Sequence, residues 1–389
     1  MAKHGFKVLD AEPHFLEPHD LWEQNLPEPF RSRTTVSSSF RGRIGEGALR
    51  PQVAGLDRPP AEAEPLVRQR ALRRVPMVEH LVKVTERPEP DLYLEGFDIE
   101  GIDVGVLMPT YGMGMVRFDG LDPEHALALC RVFNDYAHRF TEADPRRFRF
   151  WGWVPPQDAV LAAEEARRCV TELGAAGVAM TGGAVDGRLL GDEFFEPLWK
   201  AMEALDVPFG LHGPPPNYYL KDNIAHRYRG HRGMQIVAQV LGNPFHAQTE
   251  LAELILGGVL ESHPGLKVLL MEVNCSWLPW LLWRMDDKWE MNRPDLEFPL
   301  SMPPSDYFRR QCYAEVEPDE RVAKYVIDHI GADNLLFSTD YPHSDSLFPK
   351  AVETFLAMPE ISDDDKRKIL WDNGARLFRL ESDEEPEIP

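Results

Sequence analysis

The sequence predicts a (β/α)8 TIM barrel, an α/β fold, with a long insertion after the first strand. Three observations lead there. Short apolar runs alternate with amphipathic stretches of helical period along most of the chain. The runs number eight, which favours closure into a barrel over a doubly wound open sheet. Residues of metal-binding type follow several runs, where barrel enzymes keep their active sites.

The first strand is read at Lys7–Ala11, leading into Glu12, Pro13 and His14. From Pro27 to Asp91 the periodicity fails and Arg, Pro, Gly and Ser are frequent. That span is too long for an ordinary connection, so 27–91 is read as an insertion with some helix around Glu64–Arg74. It is expected to cover the barrel mouth or to contact another subunit. Regular alternation starts with the buried strand Val104–Met108. Asp122 followed by Pro123 signals a helix start, and Leu129, Phe133, Tyr136 and Phe140 mark its inner face. Phe148–Val154 is the third strand, and a helix from Ala159 to Leu173 stops at Gly174. Gly177–Met180 is the fourth strand, and Phe195, Leu198, Met202 and Leu205 form the next helical stripe.

Val207–Leu211 is the fifth strand, running into His212. Leu251, Leu254, Ile255 and Val259 mark a helix before the sixth strand, Lys267–Met271. An aromatic helix spans Trp277–Trp289, and its Trp277, Trp280 and Trp283 read as core or wall, with substrate stacking as the alternative. Gln311–Val316, a helix Asp319–Ile330, Asn334–Ser338 and a closing helix Asp363–Leu380 complete the pattern. Residues 1–380 are thus expected to form one barrel domain, and 381–389 an acidic disordered tail.

The chain has 389 residues and a formal net charge of −22, which disfavours nucleic acid and anionic membrane surfaces as partners. Cys130, Cys169, Cys275 and Cys312 form no CxxC pair and fit no thiolate metal site. With no signal peptide and no run of about 18 apolar residues, a soluble cytoplasmic protein is expected. A homo-oligomer, such as a dimer, is the expected assembly, with a hetero-oligomer as the alternative. No Gly-rich phosphate loop and no Gly-x-Ser-x-Gly elbow is present.

The chemistry-bearing residues gather at predicted strand ends. Glu12 and His14 are two apart, so in an extended chain they share a face. His212 ends the fifth strand, Glu272 the sixth and Asp340 the eighth, with His343 one turn later. Each has a bland reading: a satisfied histidine, a turn cap at Asp340, an ion pair at Glu272. As a set, mixed carboxylates and imidazoles on several strands suit a divalent ion, with zinc first and manganese or iron as alternatives. His226, His231, His246 and His263 are placed in loops or helix ends, with His246 within reach of the site from a loop.

At this point the sequence resembles the amidohydrolase-related family of metal-dependent barrels, in the branch containing aminocarboxymuconate semialdehyde decarboxylase. The resemblance rests on Asp10-Ala11-Glu12-Pro13-His14 with Glu17-Pro18, on Leu211-His212-Gly213, and on His263-Pro264-Gly265. Glu272 followed by Trp277-Leu278-Pro279-Trp280, Ser338-Thr339-Asp340-Tyr341-Pro342-His343 and Asp372-Asn373-Gly374-Ala375-Arg376 extend it. It implies that Glu12, His14, His212 and Asp340 bind metal. Two positions depart from the decarboxylase pattern: Glu12, where the family often has His, and Glu272, where the decarboxylase has a His acting as base. No Lys lies on the fourth strand, Val178–Met180, so a carbamylated bridge between two metals is not expected. A second ion stays open, because Glu12, Glu272, His246 and His343 offer further donors.

The leading expectation is metal-assisted hydrolysis of a small organic substrate, in which metal-bound water becomes hydroxide near neutral pH. Asp340 then holds the water and accepts its proton, Glu272 is a base or further ligand, and His343 orients Asp340 or binds a second ion. The alternatives are non-oxidative decarboxylation of a carboxylic acid, a dinuclear iron or manganese oxygenase, and a catalytically silent metal-binding subunit of a mixed assembly.

Overall fold

The computed structural model describes residues 4–18, 20–36, 51–53, 78–213, 234–295, 298–343 and 346–380. The helix expected around Glu64–Arg74, the tail 381–389, and His226 and His231 lie outside the described residues. The strands are β1 (Leu9–Asp10), β2 (His14–Phe15), β3 (Thr34–Val36), β4 (Pro51–Val53), β5 (Val104–Pro109) and β6 (Phe148–Trp153). They continue with β7 (Gly177–Thr181), β8 (Phe209–His212), β9 (Val268–Met271), β10 (Cys312–Val316) and β11 (Leu335–Phe337).

The main sheet is parallel, in the order β1-β5-β6-β7-β8-β9-β10-β11, with β2 paired farther along β5. Ala11 N donates to Phe337 O at 3.0 Å and His14 N to Tyr341 O at 2.7 Å, so the last strand meets the first. The result is the expected barrel of eight parallel strands, with β1 and β2 as two halves of the first. Within the insertion, β3 and β4 form a separate antiparallel pair.

The first strand differs from expectation in being interrupted. Pro13 has no N–H to offer the ladder. Asp10 Oδ1 instead accepts from Glu12 N at 3.2 Å, while Pro13 O still accepts from Met108 N at 2.9 Å. Glu12 therefore sits in a kink between two short strands.

Close packing fills the barrel. Trp151 on β6 is fully buried, and its Nε1 donates to Ala11 O at 3.0 Å. Gly177 on the neighbouring β7 leaves it room, since a Cβ there would stand 2.4 Å from the indole ring. The outer helices start as the caps predict. Asp122 accepts from His125 N before Pro123–Thr141, and Asp158 accepts from Val160 N and Leu161 N before Ala159–Thr171.

Two expectations are corrected. The helix read from Leu251 onward spans Met234–Leu256. His246 therefore lies inside a helix and not in a loop. Pro244 within it hid its first half from a reading that treats proline as a breaker. On the helix Leu278–Asn292, Trp280 and Trp283 are exposed (57% and 56%) and pack into neither core nor wall. Their i, i+3 spacing puts them on the side away from buried Leu278, Leu281, Leu282 and Met285. Among the described residues no helix is long and apolar enough to cross a membrane, and the four cysteines are buried and unbridged.

Candidate metal centre

The six residues singled out in the sequence converge at the C-terminal ends of the strands. Glu12 occupies the kink after β1, His14 opens β2, His212 ends β8 and Glu272 follows β9. Asp340 stands just beyond β11, with His343 one turn on. Glu272 (φ 52°) and Asp340 (φ 58°) both adopt the left-handed backbone region. Non-glycine residues held there carry about 1–2 kcal/mol of strain, and such strain clusters at functional sites. Here the turns aim both carboxylates back over the barrel axis.

The donors lie in contact. His212 Nε2 is 2.9 Å from Glu12 Oε1 and 2.8 Å from Glu272 Oε2. His14 Nε2 is 3.3 Å from Asp340 Oδ1 and 3.9 Å from Glu12 Oε1. His343 Nδ1 is 2.6 Å from Asp340 Oδ1. Two overlapping sets result, Glu12–His14–His212–Glu272 and His14–Asp340–His343, each with its donor atoms within 4.8 Å of one another.

The tautomers decide what this cluster suits. His14 Nδ1 lies 3.2 Å from Pro109 O, and His212 Nδ1 lies 2.6 Å from Gly213 O. A carbonyl can only accept, so each Nδ1 carries the proton and each Nε2 turns a lone pair inward. Those lone pairs face carboxylate oxygens, an arrangement that repels until a cation sits among them. Among the described residues His14 Nε2, His212 Nε2 and Glu12 Oε1 have no hydrogen-bond partner, although all three are buried. Burial, and then the neighbouring His343 and His212, hold the His14 ring well below the usual imidazole range, so it is neutral. Burial, reinforced by Glu272 and Asp340, pushes the Glu12 carboxyl well above the carboxylate range. Burial opposes charge on Glu272 too, but His212 and His343 beside it prevail and hold its carboxyl below that range. The residues present fit a divalent ion of borderline or hard character, with nitrogen and oxygen donors.

A supporting layer went unread in the sequence. Glu315 on β10 accepts from Glu272 N at 3.0 Å and is buried beside Glu12. Glu12 Oε2 also accepts from Glu272 N at 3.1 Å and from Ser338 Oγ at 3.2 Å. Thr110 Oγ1 is 2.9 Å from His343 Nε2 and 3.3 Å from His14 Nδ1. Asn243 Nδ2 donates to Glu272 Oε1 at 3.2 Å. Glu315 had a signal: it stands near the end of the seventh strand, at the level where the other strands carry donors. Thr110 and Asn243 had none, since their neighbours are distant in sequence. His246 joins neither donor set. His263 follows the short helix Val259–Ser262 and is bonded to Glu196 and Glu203 at 3.1 Å each.

The amidohydrolase family pattern matches residues 80–380, more than half of the chain. The chain belongs to the amidohydrolase family. The matched span holds His212, Glu272, Asp340 and His343, while Glu12 and His14 precede it and complete the site. The chain is 33% identical over 270 residues to the gamma-resorcylate decarboxylase of a Polaromonas strain, covering 67% of this chain and 78% of that one. It is 25% identical over 296 residues to the 2-amino-3-carboxymuconate-6-semialdehyde decarboxylase of Dictyostelium discoideum, covering 75% and 77%. The Polaromonas dihydroxybenzoic acid decarboxylase, solved with manganese and the inhibitor 2-nitroresorcinol, superposes with a TM-score of 0.66 at 25% identity. That match covers 96% of this chain and 97% of the other. This amidohydrolase is therefore an enzyme by its relatives, and its donor set, with the manganese bound in a similar solved structure, supports a divalent metal. Those relatives favour decarboxylation over the hydrolysis expected from the sequence.

Proposed function

We propose that this amidohydrolase catalyses metal-dependent, non-oxidative decarboxylation of an aromatic carboxylic acid. The observation that carries the reading is the pair of overlapping donor sets Glu12–His14–His212–Glu272 and His14–Asp340–His343, in a chain whose relatives include decarboxylases of aromatic acids. The net reaction replaces a carboxylate by a proton. The C–C bonding pair stays on the ring carbon, carbon dioxide leaves, and a proton is added at that carbon. A divalent ion held by these residues would supply positive charge to bind the substrate's carboxylate and to stabilise the electron-rich ring.

The chain's own residues have separable parts. His14 and His212 are kept in one tautomer by Pro109 O and Gly213 O, which turns each Nε2 lone pair toward the donor cluster. Asp340 is part-exposed (24%) on the open side and pairs with His343, so it is the group placed to hand a proton to the ring carbon. Glu272 is also part-exposed (32%), tethered by Asn243, and acts as a further ligand. Its approach to His212 Nε2 at 2.8 Å places it beside the donors that would hold the ion.

The test is carbon dioxide release by manganese-loaded enzyme from 2-hydroxybenzoate and its dihydroxy derivatives, run beside a panel of amides and esters. Release from a benzoate with no turnover of the panel supports the reading. Hydrolysis of panel members without carbon dioxide release sinks it.

A further inference from the structure

The helix Met234–Leu256 lies across the mouth between the ends of β7, β8 and β9. A Cβ on Gly213, just after β8, would stand 2.8 Å from Asn243 Cβ, and one on Gly182, just after β7, 2.3 Å from Glu250 Oε1. Gly183 N donates to Glu250 Oε1 at 2.6 Å. At about 100° per residue, Asn243, His246 and Glu250 fall within about 60° of arc. His246 is thus placed between a residue that touches Glu272 and one that touches the end of β7. The opposite side of the helix carries exposed Leu241 and Phe245.

Two polar groups on this inner face are uncommitted. Asn243 (7% exposed) donates its amide N–H to Glu272, which fixes its Oδ1 as an acceptor, and that Oδ1 has no partner among the described residues. His246 (6% exposed) likewise has no partner for Nε2. Buried polar atoms are nearly always paired, and one left open beside a donor cluster points to a ligand. Burial pushes the His246 ring down to about 4, so it is neutral when the enzyme works. A neutral imidazole nitrogen beside an amide oxygen complements a group that both donates and accepts, which a hydroxyl does.

Building on the decarboxylase reading, we infer that Asn243 and His246 form a specificity edge that recognises a ring hydroxyl on the bound aromatic acid. The hydroxyl donates to Asn243 Oδ1 and meets His246 Nε2 with its remaining capacity. An aromatic acid without a hydroxyl on that edge leaves both buried groups unpaired, and sites built around such a bond reject the analogue that lacks it.

The experiment compares manganese-loaded wild type, His246→Leu and His246→Gln on 2-hydroxybenzoate and the dihydroxybenzoates that add one hydroxyl to it. It reads kcat/KM from carbon dioxide release and Kd by calorimetry, with manganese content measured alongside. In wild type one dihydroxy isomer is expected to exceed 2-hydroxybenzoate by at least about tenfold in both quantities. In His246→Leu that ratio is expected to collapse to within about twofold, and His246→Gln, which keeps a polar atom, to restore part of it. Equal preference for all compounds in wild type, or a preference that survives His246→Leu, overturns the specificity edge while leaving decarboxylation standing. Absence of carbon dioxide release from every benzoate in wild type overturns the decarboxylase reading and this ligand class together.

Discussion

Asp340 and Glu315 show how much single side chains carry in this site. Asp340 meets both His14 and His343, and its part-exposed carboxyl borders the open side, where the proposed reaction needs a proton delivered. Asp340→Asn keeps the oxygen donor but removes the acid, so carbon dioxide release is expected to fall about 10²–10⁴-fold. Manganese content measured on the same sample should stay above half of wild type. Full turnover with metal bound would show that another group supplies the proton. Glu315 touches no substrate position. It buttresses Glu12 and the Glu272 backbone, so Glu315→Gln is expected to weaken metal binding about 10–100-fold. Competition with a chelator reads that change directly, and an unaltered affinity would reduce Glu315 to a packing residue. The gathering of six ligand-type residues at the strand ends was legible from residue type and position. Glu315 was legible in principle, by the same rule. Thr110 and Asn243 were not, because nothing local marks a threonine or asparagine whose partner is more than twenty residues away.

Whole elements were legible where period and caps agreed. Pro123–Thr141 begins at its Asp122 cap, as expected, and Ala159–Thr171 begins where the sequence placed it, capped by Asp158. The strand cores follow from continuous apolar runs, since parallel strands buried on both faces need them. The helix Met234–Leu256 defeated the same reasoning because Pro244 interrupts it while tertiary contacts at Asn243 and Glu250 hold both halves. Packing between strands is equally tertiary. Gly177 yields its side-chain space to Trp151, so Gly177→Ala, whose Cβ meets the indole at 2.4 Å, is expected to destabilise by about 1–3 kcal/mol. Denaturant unfolding monitored by tryptophan fluorescence measures it. No change would mean that the ring shifts freely, against the close packing seen around it.

At the scale of the molecule, the metal and the buried carboxylates set stability. Crowded acids and inward lone pairs repel in the metal-free state, so binding should stabilise the fold strongly. An ion at about 100 times its dissociation constant adds about 2.7 kcal/mol. Stripping the metal is therefore expected to lower the melting temperature, and adding manganese back to restore it; identical melting curves would argue that the cluster holds no ion. A second dependence comes from buried Glu17, whose carboxyl accepts from Tyr111 N at 3.0 Å and Gly112 N at 3.1 Å. Burial, only partly offset by those N–H groups, pushes it up to about 7 from 4.5. The folded state thus favours the protonated acid, and this contribution, full below about pH 4.5, is lost as pH rises through about 7. Glu17→Gln should remove that loss, so its stability relative to wild type should rise between pH 5 and pH 8. A pH-independent difference would place the ionised form in the fold.

The sequence by itself determined the barrel, its alternating elements and which acids and histidines stand at the strand ends. Each is written in local features: apolar runs, helix caps, and acids or histidines at run ends. Only the tertiary structure decided how those donors work together. Tautomers depend on which carbonyl lies beside each Nδ1, and carboxyl ionisation depends on burial among other acids. The polar edge offered by Asn243 and His246 depends on a helix laid across three strand ends. These are distances between residues far apart in the chain, and only folding sets them.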